Sequence, residues 1–179
     1  VVNFVRKRPT KELQGAFNLG YGTRDYYVVD GDVSGPLNSS GTVRGRIVAQ
    51  TSGESPRPAK NNNHHETFYG ALDWDISPST TLGLGYLYQQ RKITPFNGLP
   101  TEADGSVLPL PDQTFVGSSW NDFTMDSHDV FADLKHHFAD GSFAKVSTRY
   151  SDRHADSNYT LAGSALDTQG FVAVTGLGT

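Results

Sequence analysis

The chain has 179 residues, 36% of them hydrophobic, with 15 Lys and Arg against 19 Asp and Glu and a net charge of -4. The two signs are interspersed, which excludes the basic footprint of a nucleic-acid binder, and the absence of cysteine excludes disulfides and thiolate metal sites. No run approaches the ~18 apolar residues of a membrane helix, but a membrane β-strand needs only about 9 to 11 residues with every second one apolar.

Val1–Val5 is a short apolar run, expected as the end of a strand, and it passes into the basic run Arg6-Lys7-Arg8 closed by Pro9, expected as a solvated linker. The pattern is already under way at Val1 and no initiating Met precedes it, so the chain is expected to be a piece of something longer. From Leu13 to Gly22, Phe17, Leu19 and Tyr21 alternate with Asn18 and Gly20, and Thr23-Arg24-Asp25 forms a brief connection.

The next stretch, Tyr26 to Thr51, reads as two strands about a tight polar turn at Asn38-Ser39-Ser40-Gly41. Tyr27, Val29, Val33 and Leu37 share one parity against Asp30, Asp32 and Ser34; Val43, Ile47 and Ala49 oppose Arg44, Arg46 and Gln50. One face is apolar and the other charged. Ser52 to His65, rich in Pro and Asn, reads as a loop.

Thr67 to Ile76 alternates again, the turn Ser77-Pro78-Ser79-Thr80 follows, and Thr81 to Lys92 returns with Leu82, Leu84, Tyr86 and Tyr88 on one parity. Ile93 to Asp126 shows no sustained period, and a loop of that length is usually functional. Ser127 to Phe138 and Ser142 to Asp152 alternate about the turn signal Asp140-Gly141. The remainder is expected as another excursion, with Leu166 to Gly170 as a hairpin tip.

The turns near Asn38, Pro78 and Asp140 are short, while the connections after Thr51 and after Lys92 are long. An up-and-down sheet puts every second connection at the same end, so one rim carries turns and the other loops, the layout of outer-membrane barrels. Tyr21, Tyr26, Tyr27, Phe68, Tyr69, Tyr86 and Tyr88 fall toward the loop rim, where an aromatic girdle belongs. A soluble β-sandwich binding module is the rival reading, because a half-buried soluble sheet shows the same alternation.

Two stretches resemble a known family. Val2-Asn3-Phe4-Val5-Arg6-Lys7-Arg8-Pro9-Thr10 resembles the end of the plug domain of TonB-dependent outer-membrane receptors. Asp32-Val33-Ser34-Gly35-Pro36-Leu37-Asn38 with Gly41-Thr42-Val43-Arg44-Gly45-Arg46 resembles the second and third barrel strands of its ferric-siderophore branch. The resemblance implies residues 1–10 as the last plug strand and linker, and 11–179 as about seven N-terminal strands and loops of a transmembrane barrel of about 22 strands. This piece is expected to be all-β, an antiparallel up-and-down meander left as an open curved sheet.

It also implies a receptor of the bacterial outer membrane, monomeric when intact, that carries ferric siderophores into the periplasm. Its partners would be lipid, the ferric siderophore and the TonB-ExbB-ExbD energy-coupling complex. It would need no cofactor and perform no catalysis, because the iron arrives already chelated. A passive porin or adhesin barrel, and a receptor for haem, cobalamin or a sugar, remain as alternatives.

On strand parity, Arg44, Arg46, Asp73, Asp75, Asp133, Lys135 and Arg149 are expected to face the lumen and the plug. By position, Tyr26, Gln89, Arg91, Phe115, Trp120 and Phe123 are the candidates for ligand contact. No metal site is expected: His64-His65-Glu66 reads as a polar loop, and His136 and His137 point to opposite faces. Ser127-His128-Asp129 cannot form a relay on a strand, since His128 points away from both neighbours.

Overall fold

The computed structural model describes residues 5–55, 62–111 and 113–178. Eight strands follow one another: β1 (Gln14–Tyr21), β2 (Tyr27–Pro36), β3 (Val43–Glu54), β4 (Asn63–Ser77), β5 (Thr80–Ile93), β6 (Asp122–His137), β7 (Phe143–Ala162) and β8 (Val174–Gly178). They form one antiparallel sheet in chain order, with β1 and β8 as its two edges among the described residues. The described residues include no helix. This is the open meander expected from the alternation.

The register explains why the pattern recurs. Val33 pairs with Ile47, Ile47 with Gly70, Gly70 with Tyr86, Tyr86 with Val130 and Val130 with Tyr150, so one apolar row crosses six strands on a single face. Stepping along by one residue turns every side chain to the other face. There the row runs Arg44, Asp73, Gly83, Asp133 and Ser147.

The exposures are those of a protein turned inside out. Val33 is 56% exposed and Ile47 58%, whereas Asp129 is 1% and Asp133 5% exposed, and Phe131 is the one buried hydrophobic side chain among the described residues. Water rewards the opposite arrangement, because a buried carboxylate is costly and a large exposed apolar surface marks a contact with something else. The apolar face is therefore built for a solvent other than water.

Each short turn has its own chemistry. At β2–β3, Gly41 takes φ +68° and the Asn38 Oδ1 accepts from the Val43 N–H at 3.1 Å. At β6–β7, the Ser142 hydroxyl and N–H both donate to the Asp140 carboxylate, which holds its pKa below the ordinary value. At β1–β2, Arg24 and Asp25 both take positive φ, 62° and 54°, and the Tyr26 N–H donates to the Thr23 carbonyl. Two central residues with φ above zero define a type I′ hairpin turn, here made without glycine.

The strands outrun the alternation. β3 continues to Glu54, β4 begins at Asn63 and not Thr67, β6 begins at Asp122 and not Ser127, and β7 runs to Ala162, well past Asp152. A ladder of backbone hydrogen bonds needs no alternation of side chains, so where both faces become polar the strand persists and its signature vanishes. β8 is an eighth strand where seven were expected, and the tip at Leu166–Gly170 turns on Gly170, with the Asp167 N–H donating to the Phe171 carbonyl. Of the strand expected at the start, residues 1–4 lie outside the described residues and Val5 is not in a strand.

Candidate functional site

Residues 6–10 cross the polar face of the sheet as a strap. Arg6 reaches Asp133 at 3.0 Å; Arg8 reaches Asp133 at 3.1 Å and Asp73 at 2.6 Å; Lys7 turns the other way to Asp32 at 2.8 Å. The backbone is held as well. The Tyr69 hydroxyl donates to the Lys7 carbonyl, Arg46 donates to the Arg8 carbonyl, and the Thr10 N–H donates to the Ser34 hydroxyl. The basic run expected as solvated is instead bonded across the sheet, to carboxylates as far as 127 residues away.

The reason is electrostatic. Asp73 and Asp133 are nearly shielded from water, and a buried carboxylate without a cation is expensive. Lys145 adds a further cation to Asp133 at 3.5 Å. Gly83 makes the approach feasible: a Cβ there would sit 2.3 Å from the Arg8 guanidinium. The Arg6 guanidinium also lies 4.2 Å from the centre of the buried Phe131 ring, a cation–π contact.

Three further forked pairs share this face. Arg44 forks onto Asp75 at 2.5 and 2.9 Å, and Arg46 onto Asp32 at 2.9 and 2.5 Å. Arg149 forks onto Asp129 at 3.0 and 2.8 Å, where the Ser151 hydroxyl also donates. Arg44, Arg46, Asp73, Asp75, Asp133, Lys135 and Arg149 thus lie on the polar face together. Of the aromatic residues placed in a girdle, Tyr27, Phe68, Tyr86 and Tyr88 share the apolar parity. Tyr69 instead belongs to the polar face, where it holds the strap.

At the loop rim, Arg91 and Phe123 line one hollow of about 460 Å³ with Asn63, Phe96 and Tyr159. Phe115 joins this group through a stack on Phe96, ring centres 5.7 Å apart. Gln89 lies lower on β5, paired with Thr67 and Ser127. Tyr26 stands at the β1–β2 turn and Trp120 is half exposed; neither lines the hollow. Asn121, which sequence reasoning passed over, is buried here and bonded to Thr160 and Pro95.

No group of three or more His, Asp or Glu side chains among the described residues is arranged to hold a metal ion. His64 and His65 are successive residues of β4 on opposite faces, and His64 contacts the Tyr27 hydroxyl and Glu66. His128 meets the Tyr86 hydroxyl on the apolar face, while Asp129 holds Arg149 on the other. His136 contacts Thr80, and His137 points to the other face.

A sheet with a lipid-suited face, a charged face and all of its longest connections at one rim is a section of outer-membrane β-barrel wall. No protein-family model matches the chain. It is 40% identical over 166 residues to the ferric-pyoverdine receptor PbuA of Pseudomonas sp., a match covering 92% of this chain and 20% of that protein. It is 35% identical over 149 residues to the ferripyoverdine receptor of Pseudomonas aeruginosa, covering 81% of this chain and 18% of that one.

The crystal structure of the ferripyoverdine receptor of the outer membrane of Pseudomonas aeruginosa, bound to ferripyoverdine, superposes with a TM-score of 0.87 at 29% identity. That match covers 96% of this chain and 23% of the other. Over most of its own length the chain is similar to one section of the TonB-dependent siderophore receptors of the bacterial outer membrane. It spans about a fifth of the length of the curated relatives it matches.

Proposed function

We propose that this chain is part of a TonB-dependent receptor that takes a ferric siderophore of the pyoverdine class across the outer membrane into the periplasm. The observation that carries the reading is the 40% identity to a ferric-pyoverdine receptor over 92% of the chain. In this reading residues 5–10 are the junction between plug and barrel, residues 11–178 are barrel wall, and the polar face lines the lumen. The TonB-ExbB-ExbD complex would act through parts of the receptor beyond this span.

The geometry suits transport without catalysis. The strap ties the plug's end to the wall through Asp32, Asp73 and Asp133, so rearrangement of the plug upstream need not detach it. At the loop rim, Arg91, Phe123 and Phe96, backed by Phe115, offer a cation and ring faces to a bulky, polar chelate. Gln89 lies deeper on the same face and would meet a ligand already descending. The ferric ion brings its own ligands, so the wall supplies orientation and no coordination.

The test is uptake of radiolabelled ferripyoverdine by iron-starved cells, with and without the intact gene, and with and without a proton uncoupler. Uptake that needs both the gene and the proton gradient is expected. Uptake that persists under the uncoupler would make the protein a passive pore, and no uptake of any ferric chelate would remove the siderophore assignment.

A further inference from the structure

Asn121 stands where the long β5–β6 connection rejoins the sheet. Its side chain is 6% exposed and bonded through both ends of the amide. The Oδ1 accepts from the Thr160 N–H at 2.9 Å; the Nδ2 donates to the Thr160 carbonyl at 2.9 Å and to the Pro95 carbonyl at 3.3 Å. One side chain thus closes both backbone hydrogen bonds of a residue on β7, taking the place of a ladder rung just before β6 begins. The Thr160 hydroxyl extends the junction, donating to the Ser118 hydroxyl at 2.7 Å and accepting from the Ser118 N–H at 3.0 Å.

The packing around this amide leaves no room for drift. A Cβ at Gly117 would fall 2.4 Å from the Asn121 Nδ2 and 2.6 Å from the Phe115 ring, so the chain passes there only as glycine. Three segments meet at Asn121: the outgoing limb of the loop at Pro95, the returning limb at Ser118, and β7 at Thr160. Each adjoins a ring of the ligand group. Phe96 follows Pro95, Phe123 lies two residues beyond Asn121, and Tyr159 precedes Thr160; all three line the hollow that also holds Arg91. The stack of Phe96 on Phe115 joins the two limbs above it.

We infer that Asn121 is the positioning residue of the loop-rim hollow, setting the spacing of Phe96, Phe123 and Tyr159 around Arg91 for a planar, aromatic, negatively charged part of the ligand. It touches no ligand itself. Its amide must donate and accept together, a requirement that separates positioning from packing. The inference about ligand rests on the siderophore reading above; the inference about the junction does not.

The experiment compares the wild type with Asn121→Ala and Asn121→Asp, produced in outer membranes. One arm measures equilibrium binding of ferripyoverdine. The other, on separately labelled protein, follows the mobility of a nitroxide placed at residue 97 through Asn97→Cys, with any cysteine elsewhere in the receptor replaced by serine; these 179 residues contribute none. Asn121→Asp keeps size and acceptor but sets a carboxylate oxygen against the Thr160 and Pro95 carbonyls. Both variants are expected to free the label and to weaken binding about tenfold or more, the loss that follows when buried hydrogen-bond partners are left unmatched. Wild-type binding and mobility in Asn121→Asp would reduce Asn121 to filler and overturn the proposal. Failure of the wild type to bind ferripyoverdine would overturn the siderophore reading, and the label contrast alone would then decide for or against the junction.

Discussion

The two faces of this sheet share every backbone hydrogen bond and differ only in parity, yet they are specified in different ways. On the apolar face, Gly31 has nothing within 4 Å of where a Cβ would be, and the row through Val33, Ile47, Gly70 and Tyr86 mixes the smallest and largest residues. Lipid adapts to such a surface, so side chains there need be little more than apolar. On the polar face each carboxylate has named partners: Asp133 holds Arg6, Arg8 and Lys145, and Asp129 holds Arg149 and Ser151. Composition specifies one face and geometry the other.

The largest expected effect comes from putting a charge on the wrong face. Leu84 is 45% exposed on the apolar row between Leu72 and Ala132. Leu84→Arg should hinder insertion at a cost of roughly 2 to 4 kcal/mol if it lies near the bilayer midplane. Gln89→Arg, five residues on and of opposite parity, should assemble normally. The check is the yield of folded barrel whose electrophoretic mobility changes on heating; equal yields for the two variants would contradict the division into faces.

A middle-sized effect tests whether the polar face depends on specific pairs. Asp133→Ala leaves Arg6, Arg8 and Lys145 without their shared carboxylate, but these cations are partly exposed and can turn to water, so about 1 to 2 kcal/mol is expected. The readout is local: trypsin should begin to cut after Arg6 and Lys7, whereas Pro9 guards the bond after Arg8. Gly83→Val should act similarly but more weakly, at about 1 kcal/mol, by pushing the flexible Arg8 guanidinium off Asp73. Gly85→Ala is the matched control, since its Cβ would make only ordinary contacts at 3.5 Å with the Gly70 carbonyl and Phe131. Resistance of Asp133→Ala to trypsin at the wild-type level would mean that the pairs to Asp73 and Asp32, with the backbone bonds to Tyr69 and Arg46, hold the strap without Asp133.

Much of this was legible in the chain and some was not, for physical reasons. Alternation exposed the faces because parity is local, and the turns at Asn38 and Asp140 were legible because Asn, Asp and Gly have few other uses in such places. The strand ends at Glu54, Asn63 and Asp122 were invisible because alternation fades outside the apolar band while the ladder continues. The partners of Arg6 and Arg8 were unreadable because no local pattern links residues so far apart in sequence; a basic run looks the same whether it is solvated or strapped. At the loop rim, position alone brought Arg91, Phe115 and Phe123 into one group, but not Tyr26 or Trp120. Asn121 carried no signal, since an asparagine in a loop is ordinary until its amide is seen bridging two carbonyls and an N–H.

The smallest effect concerns a place that belongs to neither face. Arg24 and Asp25 hold left-handed backbone angles that cost a residue with a Cβ more than glycine, although Asp tolerates them better than most. Asp25→Gly relieves that strain but loosens the unfolded chain, so the net gain should be only about 0.5 kcal/mol. The Arg24 carbonyl also accepts from the Ser55 N–H at 2.9 Å, which ties the turn to the end of β3. A gain in the unfolding midpoint of the detergent-held protein, with its ligand affinity unchanged, is expected. A loss would mean that the Asp25 side chain, and not the backbone geometry of the turn, keeps β3 in place at the loop rim.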